Sequence, residues 1–537
     1  MNENKNRKQV QARILVSDPL AEQGITFIKS HNGFHVDVKS KLDATELLSV
    51  IPAYDALIVR SETKVTEKVL EAGKNLKVVG RAGVGLDNID VNAATKRGVV
   101  VLNAPGGNTI STAEHAVSMM LALARNIPQA CSSVKSRKWE RKRFTGTEVY
   151  AKTLGIIGLG RIGGEVARRA HALGMKLLGY DPIISPEKAR SLNVEPVDLD
   201  DLIRRSDFIT LHVPLTDQTR NLISSRQFAI MKDDVRIINC ARGGIVDEVA
   251  LLQALDSGKV AGAALDVFEK EPPLDSPLLD HDRVIVTPHL GASTEEAQVS
   301  VACEVADQVI RALRGEPVPF AVNVPPIDPE AYRELKPYLD LAEKLGRFQS
   351  QYPLGNVREL VVEVFGEIEN YDLRPIRTAV IKGFLEVFLH ENVNYVNAPV
   401  LLADRKIAVT ERKGKMLRDY ANLITVRAIT DREENSVAGT LFSLTTPRIV
   451  RLNEFHVDIW PEGVVLICLN EDKPGIIGGL GTLMANNNIN IGAMTLGRTK
   501  RGGKAATILN LDAELTAEIL DEVKSVKYVN DAKVVIL

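Results

Sequence analysis

At 537 residues, 45% hydrophobic and 25% charged, the chain has the composition of an average soluble protein and the length of three or four domains of about 100 to 200 residues each. That excludes a disordered, collagen-like or disulfide-dense chain. Lys and Arg number 67 against 69 Asp and Glu, a net charge of −2, so no global field recruits nucleic acid or anionic lipid and any anion site is local.

The first residues, MNENKNRKQVQAR, are polar and lack the apolar core of a signal peptide, and the longest apolar runs reach about half a membrane span. Cys131, Cys240, Cys303 and Cys468 form no CxxC pair and stand at no metal-ligand spacing. Reduced thiols, no metal site and a cytoplasmic protein are the expectation, with neither a membrane nor nucleic acid as partner.

From Arg13 to Val101 the strand-like runs RILVSD, DALIVRS, LKVVGRAG and VVVLNAP alternate with helical stretches, the βαβ rhythm of a parallel sheet covered on both faces. Ser111 and Glu114 then stand at capping-box spacing ahead of a long helix with an apolar body, Ala116 to Ala124, stopped by Pro128. A second βαβ series runs from Thr153 to Pro288. The helix Thr294 to Leu313 ends at Gly315, and EPVPFAVNVPPIDPE reads as a linker. Ala331 to Trp460 mixes helix and strand signals. Val464 to Leu537 reads strand, helix, strand, strand, helix, strand, the ferredoxin-like order. The predicted fold is α/β: two doubly wound parallel-sheet lobes, a mixed α+β domain and a βαββαβ module. The predicted divisions are 1–105 with 294–325, 106–293, 326–460 and 461–537.

KTLGIIGLGRIGGEVARRAHALGMKLLGYDP is a complete mononucleotide-binding unit of the Rossmann type. Gly158 permits the tight turn, Gly160 lets a pyrophosphate approach the backbone, and Gly163 allows helix and strand to pack closely, while the helix N-terminus faces the phosphates. Asp181, 18 residues after Gly163, can accept bonds from both ribose hydroxyls and would repel a 2'-phosphate. NAD is therefore expected over NADP.

Three later strands of this series close on polar residues: Arg242 in VRIINCARGG, Asp266 to Glu271 in VAGAALDVFEKEPP, and His289 in RVIVTPHLGAST. Each alone reads as a solvated loop residue, but parallel strand ends share one edge, and that edge is the ligand crevice. Hydride transfer from a hydroxy acid needs a cation for the carboxylate and a base for the hydroxyl proton. Arg242 supplies a bidentate fork, and His289, with Glu271 to orient and charge it, exchanges protons near neutrality.

Together with VRSETKV and GRAGVGLDNID, these motifs resemble the D-isomer-specific 2-hydroxyacid dehydrogenases over residues 13 to 320. The resemblance implies a catalytic triad of Arg242, Glu271 and His289. It implies that Arg60, Ser61, Arg81, Gly83, Val84 and Asn108 hold the substrate. It further implies that Arg161, Ile162, Pro214, Thr219, Cys240, Ala241, Asp266 and Gly291 join the glycines and Asp181 in lining the NAD site. Arg60 and Arg81, beyond Arg242, suit a doubly anionic ligand. The reaction the resemblance implies is NAD-dependent oxidation of 3-phosphoglycerate at the first step of L-serine synthesis. KSRKWERKRF, Lys135 to Phe144, reads as a solvated basic face or, by the resemblance, as a subunit interface reaching a neighbouring active site.

The segment LNEDKPGIIGGLGTLMANNNINIGAMTLGR resembles an ACT domain, a regulatory module that binds amino acids between paired copies. Asn470, Asp472 and Asn490 are its candidate ligands, L-serine the candidate effector, and a homo-oligomer, dimer or tetramer, the implied assembly. The first loop carries Asn470 and Asp472 where the serine-binding version has histidine and asparagine. Residues 326–460 resemble the extra domain of the long-chain enzymes, with Lys413, Lys415 and Arg418 as anion ligands or, the better reading, a solvated cluster. Two alternatives remain at this level: a hydroxypyruvate or glyoxylate reductase of the same family, and a non-enzymatic NAD-sensing corepressor-like protein, for which the sequence offers no disordered peptide-binding tail.

Overall fold

A computed structural model describes residues 11–389, 392–414, 419–443 and 445–537. The first lobe is a parallel sheet of β1 (Ala12–Val16), β2 (Phe34–Val38), β3 (Ala56–Val59), β4 (Val78–Arg81) and β5 (Val100–Asn103), in the order β2-β1-β3-β4-β5. All four residues of β3, ALIV, are buried, as continuous apolar strands must be when helices cover both faces. One of those helices, Glu295–Leu313, returns from far along the chain and packs Val301, Val305 and Val309 into this core. Its N-cap Thr294 accepts the Ala297 N–H.

The second lobe holds β6 (Thr153–Ile157), β7 (Lys176–Tyr180), β8 (Glu195–Pro196), β9 (Phe208–Leu211), β10 (Val235–Asn239), β11 (Val260–Leu265) and β12 (Val284–Val286). The order β12-β11-β10-β9-β6-β7-β8 reverses direction beside β6, which opens a crevice outside the carboxyl ends of β6 and β9.

Helix Thr109–Ala124 leads from the first lobe into the second, but no capping box starts it. Ser111 lies inside its first turn and meets the Thr294 hydroxyl at 2.7 Å, while Glu114 pairs with Arg169 at 3.1 Å. Pro128 sits in the first turn of a second helix, Ile127–Lys135, where its missing N–H costs nothing. It opens a helix as well as ending one.

The proline-rich stretch is stitched to β5. Val322 N–H donates to Val101 O at 2.8 Å, and the Asn323 side chain accepts from Val101 N–H and donates to Val99 O, both at 2.9 Å. Beyond it, helices Pro329–Gln351 and Arg374–Glu386 cover a mixed sheet of β13 (Val357–Gly366), β14 (Ala408–Lys413), β15 (Asn422–Thr430), β16 (Glu434–Phe442), β17 (Thr446–Leu452) and β18 (Phe455–Ile459). Only the β13–β14 pairing is parallel. Last come β19 (Val464–Glu471), β20 (Ile491–Arg498), β21 (Lys504–Leu511) and β22 (Val529–Ile536), antiparallel in the order β20-β21-β19-β22, with helices Ile476–Asn486 and Ala517–Lys524 between strands as the ferredoxin-like order requires.

The third and fourth sheets share one core: Leu339 and Phe348 of the long helix and Tyr352 at its C-cap are buried with Val465, Ile467, Ile508 and Val535. Of the candidate anion ligands, Lys413 is exposed, while Lys415 and Arg418 lie outside the described residues, as does most of the polar N-terminal stretch. Among the described residues no helix is long and apolar enough to cross a membrane, and the four cysteines are unpaired.

Candidate active site

Each of the three polar strand ends is held by a buried neighbour. At the end of β10, Asn239 donates to Arg242 O at 2.9 Å and accepts the Ala241 N–H at 3.1 Å, fixing the turn that projects Arg242. After β11, Glu271 Oε1 accepts the Phe268 N–H and Oε2 lies 2.9 Å from His289 Nδ1. Burial raises the Glu271 pKa, but the bond and charge of His289 and the Phe268 amide outweigh it, so the carboxyl titrates below its usual range. It is a carboxylate at neutral pH, aimed at one ring nitrogen, and leaves Nε2 for the cleft.

His289 itself sits at φ 55, left-handed backbone that costs an L-residue about 1 to 3 kcal/mol. Asp266, only 1% exposed, holds it there. Its carbonyl accepts the His289 N–H at 3.0 Å, and its carboxylate accepts from Thr287 Oγ1 at 2.5 Å, Leu290 N–H at 2.7 Å and Gly291 N–H at 2.9 Å, with His115 Nε2 3.2 Å away. These donors overcome burial and keep the Asp266 carboxyl below its usual pKa. Donor atoms of His115, Cys240 and Asp266 lie within 4.8 Å of one another. The Asp266 oxygens are already engaged and burial pushes the Cys240 thiol well up, so the chemistry of this trio disfavours a cation.

The facing wall comes from the first lobe. Buried Asp18 accepts the Arg60 N–H at 2.5 Å and the Thr63 hydroxyl at 2.5 Å, and Asn88 donates to Arg60 O and Thr63 O, pinning the loop that carries Arg60 and Ser61. Arg81 is pushed down to about 10, first by burial and then by repulsion from Arg242. Its Nε and the Asn108 Oδ1 are buried without a protein partner. A cavity of about 720 Å³ unites Arg60, Ser61, Arg81, Gly83, Val84 and Asn108 with Arg242, Glu271 and His289. Lys64, Asp87 and Asn88 also line it, unanticipated from the sequence. Asp18 did carry a signal, as the polar residue that closes the buried run RILVSD.

On the other side of the crevice, Gly158 has φ 93, and a side chain at Gly163 would place its Cβ 1.9 Å from Gly158 O. No heavy atom lies within 4 Å of the Cβ position at Gly160, so a phosphate can approach that backbone. Arg161 and Ile162 open the helix Arg161–Ala172, with the Arg161 guanidinium 5.1 Å from the Phe320 ring centroid. Asp181 accepts from Leu159, Ile183 and Ile184 N–H, a backbone duty the sequence did not reveal. Acceptor capacity remains on Oδ2 for one ribose hydroxyl, where two had been expected. After β9 the Thr219 hydroxyl donates to Pro214 O at 2.6 Å, closing the loop on that side. These residues fit a dinucleotide.

Residues 117–291 match the family model of the D-isomer specific 2-hydroxyacid dehydrogenase NAD binding domain, 334–453 that of the D-3-phosphoglycerate dehydrogenase intervening domain, and 464–527 that of the ACT domain. A D-3-phosphoglycerate dehydrogenase of Synechocystis sp. is 48% identical over 98% of this chain and 95% of its own length. One of Archaeoglobus fulgidus is 47% identical over 97% and 99%. The chain belongs to the D-3-phosphoglycerate dehydrogenase family. Among solved structures, D-lactate dehydrogenase from Aquifex aeolicus, crystallised with NAD and lactic acid, matches at TM-score 0.52 and 31% identity, covering 57% of this chain and 96% of that one. A glyoxylate reductase from Paecilomyes thermophila gives 0.54 and 31%, over 58% and 98%. The chain is thus an NAD-dependent oxidoreductase of this family.

The remaining predicted residues behave differently. Asn470 is buried and accepts from the Thr507 hydroxyl, Asp472 accepts from Arg498 and Gly502 N–H, and Asn490 donates to Asp512. Glu471 pairs with Lys504, whereas Ile491 pairs with Leu511 at the far end of the same strand. Asn470 and Asp472 therefore stand at one end of the sheet and Asn490 at the other, and a single chain does not bring the three together. The basic stretch Lys135 to Phe144 contributes nothing to the cleft of its own chain. A second cavity of about 770 Å³ lies between the first lobe and the third domain. Of its four cations, Lys77 pairs with Asp55, Arg97 with Glu71 and Lys336 with Asp340.

Proposed function

We propose that this chain oxidises 3-phosphoglycerate to 3-phosphohydroxypyruvate, the entry to L-serine synthesis, with Arg242, Glu271 and His289 as the catalytic residues. The observation that carries this reading is the 2.9 Å His289–Glu271 pair in one cleft with three guanidinium groups, Arg242, Arg60 and Arg81. The substrate has a carboxylate at C1, an alcohol at C2 and a phosphate at C3. Arg242 receives the carboxylate, and Arg60 and Arg81 receive the phosphate. His289 Nε2 takes the C2 hydroxyl proton, and the Glu271 carboxylate stabilises the imidazolium that results. NAD, when bound, accepts the hydride from C2. Gly158, Gly160 and Gly163 would give it backbone room, Arg161 and Ile162 would meet its phosphates and Asp181 its ribose, and Pro214, Thr219, Cys240, Ala241, Asp266 and Gly291 would complete the lining.

The division 1–105 with 294–325, 106–293, 326–460 and 461–537 belongs to the same reading. So does an amino-acid effector such as L-serine held between copies, Asn470 and Asp472 from one and Asn490 from another, which ties regulation to a dimer or tetramer. Trp139 at 78% and Tyr150 at 71% exposure leave apolar area for such an assembly. Unpaired cysteines agree with a cytoplasmic location.

Turnover of 3-phosphoglycerate, glycerate and glyoxylate at equal concentration tests the substrate. The phosphorylated acid should be preferred by at least about tenfold, since losing one charge-assisted contact costs about 1.5 to 3 kcal/mol. Equal rates with glycerate would sink the doubly anionic assignment.

A further inference from the structure

The charge balance of the cleft turns on a group that neither wall was expected to supply. Asp87, on the loop after β4, places Oδ2 3.3 Å from Arg242 Nε. Among the described residues this is the one ion pair that joins the first lobe to the second. Arg242 has little else to offer a ligand. Its Nη1 donates to Ala241 O at 2.7 Å. Its Nη2 lies 2.1 Å from where a Cβ would stand at Gly85, so the guanidinium is pressed onto that glycine backbone, with Asp87 Oδ2 2.8 Å from the same point. The edge left for a bidentate carboxylate is Nε with Nη2, and Asp87 is on it.

We propose that Asp87 is an internal carboxylate that competes with the substrate carboxylate for Arg242 and thereby sets how tightly this cleft holds anions. The inference rests on the assignment of Arg242 as the carboxylate anchor. Asp87 places one oxygen, Oδ2, beside Nε, one prong of the fork that a ligand carboxylate would fill, so the two carboxylates contend for the same edge. Displacement also frees the two lobes from their ion pair, linking ligand arrival to the relative freedom of the cleft walls. Asp87 favours the charged form of Arg81 as well, opposing the repulsion from Arg242 and Arg60. Without it, three guanidiniums share the cleft with no opposing charge beside Arg242, and any small dianion gains. The pair is 68% exposed on the Asp87 side and 27% on the Arg242 side, so the competition is weak enough to be reversible and worth a few-fold in affinity.

Asp87→Asn should lower KM for 3-phosphoglycerate by about two- to five-fold and tighten competitive inhibition by sulfate by a similar factor. Asp87→Glu keeps a carboxylate in reach, and its sulfate inhibition should stay near that of wild type. Titration of sulfate into the wild-type and Asp87→Asn proteins, followed by calorimetry at one low ionic strength, reads the same change without turnover. A wild-type protein that binds sulfate but does not oxidise 3-phosphoglycerate would overturn the substrate assignment alone. If Asp87→Asn leaves both KM and sulfate affinity unchanged, Asp87 does not compete. If it weakens both, Asp87 orients Arg242, and the proposal is wrong in sign.

Discussion

His289 reaches its place beside Glu271 only because Asp266 over-determines a loop that would otherwise relax from φ 55. His289→Ala should lower turnover by ~10² to 10⁴ while NAD binding, followed by cofactor fluorescence, survives, since the imidazole acts on the proton in flight. Asp266→Asn tests the support. An amide there would turn its N–H donors toward either the Leu290 or the Gly291 N–H, which costs about 1 to 3 kcal/mol. The Asp266 pKa is depressed in the folded protein, so its stabilisation is complete above the unfolded carboxylate pKa near 4 and is lost as pH falls through the lower folded value. The gap in melting temperature between wild type and Asp266→Asn should therefore be widest at neutral pH and narrow below about pH 4; a constant gap would show that the carboxylate charge is irrelevant. Arg242, Glu271 and His289 were legible because each lies in the segment that follows an apolar strand. The anchoring role of Asp266 was not, because its partners, His115 and Thr287 to Gly291, are brought to it only by the tertiary fold.

At the scale of one element pair, β6, its helix and β7 form a unit whose signals are all local, so the sequence read it nearly whole. Gly163→Ala forces a methyl to within 1.9 Å of Gly158 O and should separate helix from strand, destabilising the second lobe by at least about 1 to 3 kcal/mol and weakening NAD together with it. Asp181→Ala should shift the NAD-to-NADP preference by about tenfold or more, from lost charged bonds worth about 1.5 to 3 kcal/mol. Unchanged preference in steady-state kinetics would remove Asp181 from the ribose site. The inter-lobe helix shows the opposite case. Ser111 and Glu114 have capping-box spacing, yet Thr294 and Arg169, from distant segments, take both side chains. A spacing rule describes an isolated helix end, and a tertiary partner overrides it.

Across the whole molecule, the matched solved dehydrogenases are covered over 96% or more of their own length by 57 to 58% of this chain, so those proteins are built without counterparts of the remaining segments. The chain cut after Pro326 should stay folded and active. A cut after Gly315 removes the Val322 and Asn323 bonds to β5, and its melting temperature should drop against the longer version. The C-terminal module differs, for a reason its βαββαβ pattern does not disclose: alternation along a strand shows that a face is buried, not what buries it. Val465, Ile467, Ile508 and Val535 are 0 to 1% exposed in a core shared with the helix Pro329–Gln351. Uncovering four such side chains forfeits about 6 to 12 kcal/mol, as much as a whole domain's net stability. Residues 461–537 alone should therefore aggregate or bind a hydrophobic dye, whereas 326–537 should melt as one cooperative unit. A sharp thermal transition without dye binding from the shorter fragment would show that the module pairs with a second copy of itself strongly enough to replace the helix, and serine binding could then be measured on that pair alone.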